Sequence, residues 1–193
     1  MLKVATPLEG VFVLEPDVHE DSRGFFIEAW NDEAFRRDVC DVGFVQDNHS
    51  RSLCGVVRGL HLQRGVGKLV SVVSGFIFDV AVDMRVGSAT FGKWYGTQLS
   101  GENHRMMWIP AGFAHGFKVI SESADVCYKV TGYWRASDEV TVKWDDHEIG
   151  IDWPMDYMRD ARLSARDAEA KSLSESIVSI RRQEDHARHQ NAC

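Results

Sequence analysis

Three residues that suit carbanion chemistry lie close together in the first half of the chain. Arg58 and His61 fall within the stretch VRGLHLQ, and Lys68 follows soon after. A neutral imidazole can take a proton from a carbon beside a carbonyl group, while a nearby cation stabilises the enolate oxygen that forms. The stretch therefore predicts proton abstraction next to a ketone. The alternative is a β-strand that merely contains a polar histidine.

A second histidine, His115, lies in the stretch WIPAGFAHGF. Its P-x-G-x-x-H spacing resembles the second half of the signature of cupin barrels. In metal-binding cupins the first half supplies two more histidines and a glutamate, whereas GLHLQ supplies His61 alone, with Gln63 two residues later. Because a catalytic first-row metal usually needs at least three such ligands, we expect no metal cofactor.

Two further residues could exchange or steer protons. Tyr128, in YKVTGY, becomes a proton donor if its hydroxyl group faces a cavity; a core tyrosine is the alternative. Asp167, in LSARD, could orient a histidine and stabilise its imidazolium form. A carboxylate at a helix start is the alternative, and the local sequence does not distinguish the two.

The stretches DSRGFFIE and QDNHS combine groups that suit a nucleotide. If both form strands, Phe26 and Glu28 share one face, as do Gln46 and Asn48. An aromatic ring can stack on a base, the guanidinium of Arg23 can contact a phosphate, and amides can bond a base edge. DSRG is also an ordinary turn sequence, so this interpretation stays open.

Most of the chain must form β-strands to position these groups. Short apolar or alternating runs recur between Val11 and about Ile151, and Phe76–Asp83 is the clearest, with Val80 on one face and Asp79 on the other. Further strands are expected at Val11–Glu15, Phe25–Trp30, Phe44–Arg51, Lys68–Val73, Trp94–Leu99, Arg105–Ile109, His115–Ile120 and Asp125–Thr131. Many short strands and few helices predict a mainly all-β sandwich or barrel.

Helices are expected in two places. The stretch NDEAFRR predicts a short helix with Asn31 as its N-cap and Gly43 as its end. Residues 160–193 are charged and helix-permissive, which predicts a C-terminal helix with a frayed end. We therefore expect a barrel with N-terminal strands over residues 1–159 and a helical segment over residues 160–193.

Bulk properties disfavour several classes of protein. The length of 193 residues fits one domain, and the net charge of −7 argues against broad binding to nucleic acid or anionic membrane. No apolar run approaches the roughly 20 residues that a membrane helix needs, and the first residues lack a signal-peptide core, so we expect a cytoplasmic protein. The spacing of Cys40, Cys54, Cys127 and Cys193 predicts reduced thiols.

Together and in this order, the stretches resemble the dTDP-4-dehydrorhamnose 3,5-epimerase family of deoxysugar synthesis. The matching stretches are DSRGFFIEAWN, FVQDNHSRS, GVVRGLHLQ, GKLVSVVSG, FDVAVDMRVGSATFGKW, WIPAGFAHGF, YKVTGYW, WDDHEIGIDWP and LSARD. The resemblance implies a cupin barrel of the jelly-roll type and a homodimer that exchanges strands. It implies an isomerase that epimerises dTDP-4-keto-6-deoxy-D-glucose at C3 and C5 to dTDP-4-keto-L-rhamnose without a cofactor.

The resemblance also implies roles for individual residues. His61 would remove the proton from C3 or C5, with Asp167 as its partner. Lys68 would steady the enolate oxygen, and Tyr128 would return a proton on the opposite face. The implied substrate-binding residues are Arg23, Phe26, Glu28, Gln46, Asn48, Arg58, His115 and Tyr133, some of them serving the partner subunit's site.

One stretch departs from the family pattern. Only RGVG separates Gln63 from Lys68, where typical members have a longer loop at the pocket edge. Sugar specificity therefore stays open, and the alternatives are a C3-only or C5-only epimerase or one that acts on another nucleotide sugar, such as a GDP-linked keto-heptose. A metal-dependent cupin and a non-catalytic sugar-binding protein are more distant alternatives.

Overall fold

The computed structural model describes residues 1–154 and 161–190, and antiparallel β-strands dominate it. The strands are β1 (Leu2–Ala5), β2 (Phe12–Glu15), β3 (Val18–Asp21), β4 (Gly24–Ile27), β5 (Gln46–Leu53), β6 (Val57–Gln63), β7 (Lys68–Ser74), β8 (Phe76–Asp83), β9 (Trp94–Ser100), β10 (Met106–Ile109), β11 (Phe113–Val119), β12 (Ser123–Val130) and β13 (Glu139–Thr141). The α-helices are α1 (Asp32–Asp38), α2 (Ala165–Ala168) and α3 (Leu173–Gln190), and a 3-10 turn covers Ala136–Asp138.

The strands form two facing sheets and one separate hairpin. One sheet has the order β1-β2-β10-β7-β12-β5, the other has the order β13-β6-β11-β8-β9, and β3 pairs with β4 in a two-stranded sheet. Apart from the consecutive pairs β1–β2 and β8–β9, neighbours within each sheet come from distant parts of the chain, and the paired strands run antiparallel. This arrangement confirms the predicted mainly-β barrel of the jelly-roll type.

Apolar side chains fill the space between the two sheets. Val70 and Val126 contribute from the six-stranded sheet, and Ile77, Ala81 and Phe117 contribute from the five-stranded sheet. Burial of these side chains drives the sheets together. The two surfaces that face each other are called the inner faces, and they also carry the polar groups of the site.

The outer face of each sheet is covered by other parts of the chain. Leu60 and Val80 pack against Trp153, Leu173 and Ile180, so the C-terminal segment covers the five-stranded sheet. Helix α1 covers the other sheet, where Phe35 packs in a cluster with Leu14, Leu69, Met106 and Trp108. These two coverings hold the inner faces in register around the site.

The alternating pattern at Phe76–Asp83 is confirmed as strand β8 with the predicted bounds. Ile77 and Ala81 point to the inner face, whereas Val80 and Val82 point outward. Other predicted strands differ by one to three residues at their ends. Sequence analysis gave no bounds for β6, the strand that carries His61. It also missed the short strands β1, β3 and β13, which carry few apolar residues or lie at exposed positions.

Helix α1 begins as predicted, because the side chain of Asn31 accepts a hydrogen bond from the Ala34 N–H (3.0 Å). The predicted end at Gly43 is wrong, since the helix ends at Asp38. The β-branched Val39 and Val42 have low helix propensity and instead pack beside the Phe35 cluster. Tertiary packing therefore ends the helix before the glycine is reached.

The C-terminal segment is tied to the barrel through Asp146. Its buried carboxylate accepts hydrogen bonds from the Leu173 N–H (2.9 Å), at the start of α3, and from the Glu148 and Ile149 N–H groups. The predicted C-terminal helix is present as α3. The predicted boundary at residue 159 and Cys193 lie outside the described residues, so the division into two segments stays a prediction.

The remaining bulk predictions concern thiols and membranes. Cys40, Cys54 and Cys127 are partly buried, and no disulfide joins them. Within the described ranges, no helix is long and apolar enough to cross a membrane.

Candidate active site

Strand pairing brings the two histidines together on one inner face. His115 of β11 lies directly opposite His61 of β6, and Ala81 of β8 lies on the other side of His115. Directly opposed residues of antiparallel strands project to the same side of a sheet. Because Ala81 belongs to the inner core, both imidazoles are on the inner face.

His61 forms a dyad with Asp167. The His61 Nε2–H donates to the Asp167 Oδ1 at 2.6 Å, and Ser164 Oγ donates to the Asp167 Oδ2 at 2.8 Å. Burial raises the pKa of Asp167, but the His61 hydrogen bond and charge more than offset it, so that this pKa lies below its usual value. Because a carboxylate only accepts, Nε2 carries the hydrogen of this bond, and in the neutral imidazole Nδ1 keeps its lone pair.

Asp167 combines both of the alternatives that sequence analysis left open, a carboxylate at a helix start and a partner of a histidine. It lies in the first turn of α2, capped by the Ser164 side chain, and it is also the partner of His61. The Asp167 N–H donates to Ser164 Oγ at 3.1 Å, which fixes the carboxylate in place. A short capped helix therefore directs this carboxylate at His61.

Lys68 is buried beside the main chain of His61. Its Nζ donates to the His61 carbonyl oxygen at 3.2 Å, and only 8% of the residue is exposed. Burial lowers the pKa of Lys68 to about 8, against the opposing charges of Glu139 and Asp79. Such a cation is poorly hydrated, so it interacts strongly with a negative charge that forms near it.

His115 forms a second, fully buried dyad with Asp79. Its Nε2 shares a hydrogen bond of 2.7 Å with the Asp79 Oδ1. Burial lowers the pKa of His115 and raises the pKa of Asp79, so each group is pushed toward its neutral form. The charges of Lys68 and His61 also lower the pKa of His115, which joins the two dyads in one electrostatic network.

Tyr128 lies on the opposite inner face. On β12 it pairs with Val70 and with Asn48, while Lys68 pairs with Val130, so these side chains project to the same side. Burial raises the pKa of Tyr128, which Arg58 opposes through its charge. Arg58 belongs to the five-stranded sheet, so the two sheets approach each other closely at the tyrosine.

Glu139 is a member of the network that sequence analysis missed. It begins β13, its side chain is 6% exposed, and its Oε1 lies 3.9 Å from the His61 Nδ1. Arg166 forms a 2.8 Å ion pair with the same oxygen, and the Trp134 indole N–H donates to the Oε2. The alternation of EVTV was the only sequence signal for this strand. Asp79 was placed on the correct face but given no role.

An open cleft of about 360 Å³ leads to the His61–Asp167 dyad. Arg58, Arg162 and Arg166 line it, which makes it suitable for an anionic group. Lys68 and Tyr128 do not line this cleft and lie deeper, on the inner face of the other sheet. His61 therefore stands between the arginine-lined entrance and the barrel interior.

The nucleotide candidates fall into two groups. Gln46 and Asn48 lie on β5 beside Tyr128, where the Gln46 amide N–H donates to the Asn48 Oδ1 at 2.8 Å. Phe26 is 69% exposed on the β3–β4 hairpin, and Arg23 on the same hairpin is bound to Asp21. Glu28, just after the hairpin, is also exposed. The fold of one chain does not bring this second group to His61.

The remaining predicted residues lie at the rim. Tyr133 is 65% exposed, and its carbonyl oxygen accepts a hydrogen bond from the Gln63 side chain at 3.0 Å. Arg58 donates to Ser52 Oγ at 2.9 Å. Across residues 1–154 and 161–190, no group of three or more His, Cys, Asp or Glu side chains is arranged to hold a metal ion.

Comparison with known proteins identifies the family. The sequence profile described as dTDP-4-dehydrorhamnose 3,5-epimerase matches residues 5–175. The chain belongs to the dTDP-4-dehydrorhamnose 3,5-epimerase family. Enzymes of that name from Pseudomonas aeruginosa and Salmonella typhimurium are 52% and 48% identical to it, over 86% and 92% of this chain and 92% and 98% of theirs.

Solved structures of family members share the fold. The dTDP-6-deoxy-D-glucose-3,5-epimerase of Legionella pneumophila, in complex with dTDP-4-keto-L-rhamnose, superposes with a TM-score of 0.89 at 44% identity. The match covers 93% of this chain and 96% of that one. The family resemblance of the sequence is thus confirmed at the level of both sequence and fold.

Proposed function

We propose that this protein epimerises dTDP-4-keto-6-deoxy-D-glucose at C3 and C5 to give dTDP-4-keto-L-rhamnose, by proton transfer through an enolate. The observation that carries the proposal is the position of two groups on opposite inner faces. His61, backed by Asp167, projects from one sheet, and Tyr128 projects from the other. The names of the close relatives and the ligand of the Legionella enzyme support this substrate and product.

The first step is removal of the proton from C3. Nδ1 of His61 takes the proton, and the electrons of the C–H bond move into a C3–C4 double bond as the negative charge develops on the C4 oxygen. Lys68 stabilises that oxygen with its ammonium group, while Asp167 stabilises the imidazolium that forms. No change of oxidation state occurs, so the step needs no redox partner.

Inversion requires that the proton returns from the other side of the ring. Tyr128 gives its hydroxyl proton to C3 as the enolate returns to the ketone, and water restores the tyrosine and removes the proton from His61. Burial raises the pKa of Tyr128, so the phenol is protonated and ready to donate at neutral pH. The same cycle then operates at C5. Base and acid on opposing sheets support this division of labour.

The substrate's two anionic phosphates and its base require further contacts. Arg58 at the cleft and the amides of Gln46 and Asn48 are suited to these groups, and His115 to the sugar. The base would stack on Tyr133, which is exposed at the rim. The hairpin residues Arg23, Phe26 and Glu28 would serve the neighbouring subunit's site.

The reaction is tested by incubating the protein with dTDP-4-keto-6-deoxyglucose in D₂O and following C3 and C5 by NMR. We expect deuterium at both carbons and a product with the L-configuration. Deuterium and inversion at one carbon alone would instead indicate a C3-only or C5-only epimerase. If the dTDP sugar does not exchange and a GDP-linked keto-heptose does, the proposed substrate is wrong.

The homodimer is tested separately. The exposed hairpin with Phe25 (57% exposed) and Phe26 supports association, because such aromatic side chains are usually covered by a partner. Light scattering is expected to give twice the 21.8 kDa chain mass. Mixing inactive His61→Ala with inactive Phe26→Ala protein should restore activity, since a mixed dimer contains one intact site. A fully active monomer contradicts the shared site.

A further inference from the structure

Glu139 is a buried carboxylate at the centre of the proton-transfer network, and the proposed steps do not use it. It faces the site because Glu139 pairs with Gln63 and Thr141 pairs with His61 across β13 and β6. Its Oε1 lies 3.9 Å from the His61 Nδ1, too far for a hydrogen bond but close enough for a strong charge interaction. The carboxylate therefore faces the lone pair that would take the sugar's proton.

Two residues from different segments fix the orientation of this carboxylate. Arg166, next to Asp167, binds Oε1 at 2.8 Å, and the Trp134 indole N–H donates to Oε2. The Arg166 side chain is 47% exposed, whereas that of Glu139 is 6% exposed. Water screens the arginine charge more than the carboxylate charge, so a net negative field remains inside the pocket.

We propose that Glu139 is a positioning residue that supplies the fixed negative charge needed to keep the Lys68 ammonium group protonated and to stabilise the positive charge that His61 gains when it takes the sugar's proton. This inference rests on the proposed function, because it concerns the same proton transfers. The carboxylate acts through two other residues and does not need to touch the reacting carbons.

The electrostatics of the pocket support this role. Burial lowers the pKa of Lys68 to about 8, and Glu139 is the largest influence that opposes the fall, followed by Asp79. The pKa of Asp79 is itself raised by burial, so Asp79 keeps its proton more readily and its negative charge is a less dependable support. The groups of the network around Lys68 are Glu139 of β13, His61 and Arg58 of β6, Asp79 of β8, His115 of β11 and Tyr128 of β12.

The sign of the pH effect follows from these charges. Lys68 stabilises the enolate only while protonated, so kcat/KM is expected to fall as the pH rises through about 8. Glu139→Gln removes the negative charge and keeps the side-chain shape. The pKa of Lys68 should then fall further, and the alkaline limb of the profile should move to lower pH by about one unit.

The matched control is Asp138→Asn. Asp138 is the neighbouring carboxylate, and it pairs with Arg64 at 3.2 Å at the rim. The control variant loosens the same segment without changing the charge beside Lys68. The alkaline limb of its pH profile should therefore lie at the same pH as that of the wild type. If circular dichroism shows that Glu139→Gln does not fold, Glu139→Asp is the second variant. Its side chain is one methylene shorter, so the negative charge lies farther from Lys68, and the alkaline limb should move to lower pH by a smaller amount.

A second measurement does not depend on turnover. Lysine labelled with ¹³C at Cε reports the titration of Lys68 in the ligand-free protein, with the Lys68→Arg spectrum giving the assignment. We expect this titration to shift down in Glu139→Gln and not in Asp138→Asn. An unchanged titration and limb would overturn the inference even if kcat falls. Absence of epimerisation by the wild type, with the titration shift present, would refute the proposed function alone.

Discussion

Gly59 of β6 and Gly116 of β11 pack backbone against backbone. A Cβ atom on Gly59 would lie 2.5 Å from the Gly116 Cα and 3.0 Å from the His115 carbonyl oxygen. Gly59 also has a φ of +134°, which residues with a side chain rarely adopt. This contact lets two strands approach where the pairing register shifts, and so brings His61 opposite His115.

Gly59→Ala is therefore expected to damage both stability and activity. The atoms in the way belong to the backbone of the neighbouring strand and cannot swing aside, so we expect a loss of roughly 3 kcal/mol of unfolding free energy. Denaturant unfolding measures the loss, and D₂O exchange measures the effect on catalysis. Gly65→Ala is the control, because Gly65 has a φ of +65° but no atom within 4 Å of an added Cβ. It should lose only about 1 kcal/mol.

His61→Ala should abolish exchange of the hydrogens on C3 and C5 with D₂O. General bases contribute about 10² to 10⁴ in rate, so loss of the base should reduce turnover at least 10²-fold at both carbons. The circular dichroism spectrum should match that of the wild type, because the His61 side chain is partly exposed (29%) and does not belong to the apolar core. Normal exchange in this variant removes His61 from the base role.

Asp167→Asn tests the carboxylate that partners His61. The amide can keep a hydrogen bond to His61 but cannot neutralise the imidazolium, so kcat should fall about 10²-fold or more. Ser164→Ala is a graded comparison, since it removes only the hydroxyl that caps α2 and holds the Asp167 Oδ2. A smaller fall is expected there, together with about 1 kcal/mol of lost stability. Equal losses in both variants would contradict a direct role for the Asp167 charge.

A stability prediction follows from Asp83, which lies outside the site. Burial would raise the pKa of this carboxylate, but hydrogen bonds from Arg85 (2.7 Å), Thr90 (2.6 Å) and Ser88 (2.7 Å) lower it to about 2. Because the pKa of Asp83 is lower in the folded state, its ionised carboxylate stabilises the fold at pH values above the unfolded-state pKa, which is near 4. This stabilisation is lost as the pH falls toward 2. Asp83→Asn should therefore lower the unfolding free energy by about 2 kcal/mol at pH 7.

The difference between this variant and the wild type should shrink to roughly 0.4 kcal/mol near pH 2, where the carboxylate is protonated in the unfolded state and about half protonated in the folded state. Denaturant titrations at the two pH values measure the difference. Asp145→Asn is the control, because the Asp145 side chain is 45% exposed and lies 3.5 Å from Lys143. Its effect should stay within about 0.5 kcal/mol at either pH. A pH-independent difference for Asp83→Asn would contradict the linkage argument.

The sequence predicted the fold well where strands are long and alternate in polarity. Strand β8 shows why, because its two faces belong to two different apolar clusters and any other register would bury Asp79 and Asp83 on the wrong side. The end of α1 could not be predicted, because it depends on packing between Val39 and residues from three distant strands. Local propensity does not contain that information.

The site was predicted through recognition of the motifs more than through their spacing. Asp167 could be assigned as a partner of His61 only by resemblance, since 106 residues separate them. Sequence analysis gave no role to Asp79 or Glu139, because a lone acidic residue in a strand is typical of an exposed position unless the opposing sheet is known. Burial of Glu139 depends on β13, a strand of three residues with little sequence signal.

The long separation of His61 from Asp167 has a consequence for synthesis. Asp167 belongs to a C-terminal segment that is hydrogen-bonded to the start of β6. The Val57 N–H donates to the Arg162 carbonyl oxygen (3.0 Å), and the Arg162 N–H donates to the Gly55 carbonyl oxygen (2.9 Å). A ribosome must therefore add 106 residues after His61 before the imidazole acquires its carboxylate partner. All thirteen described strands end before Asp167 in the chain, so a polypeptide terminated between the last strand and Asp167 contains the residues of both sheets and lacks the carboxylate that partners His61.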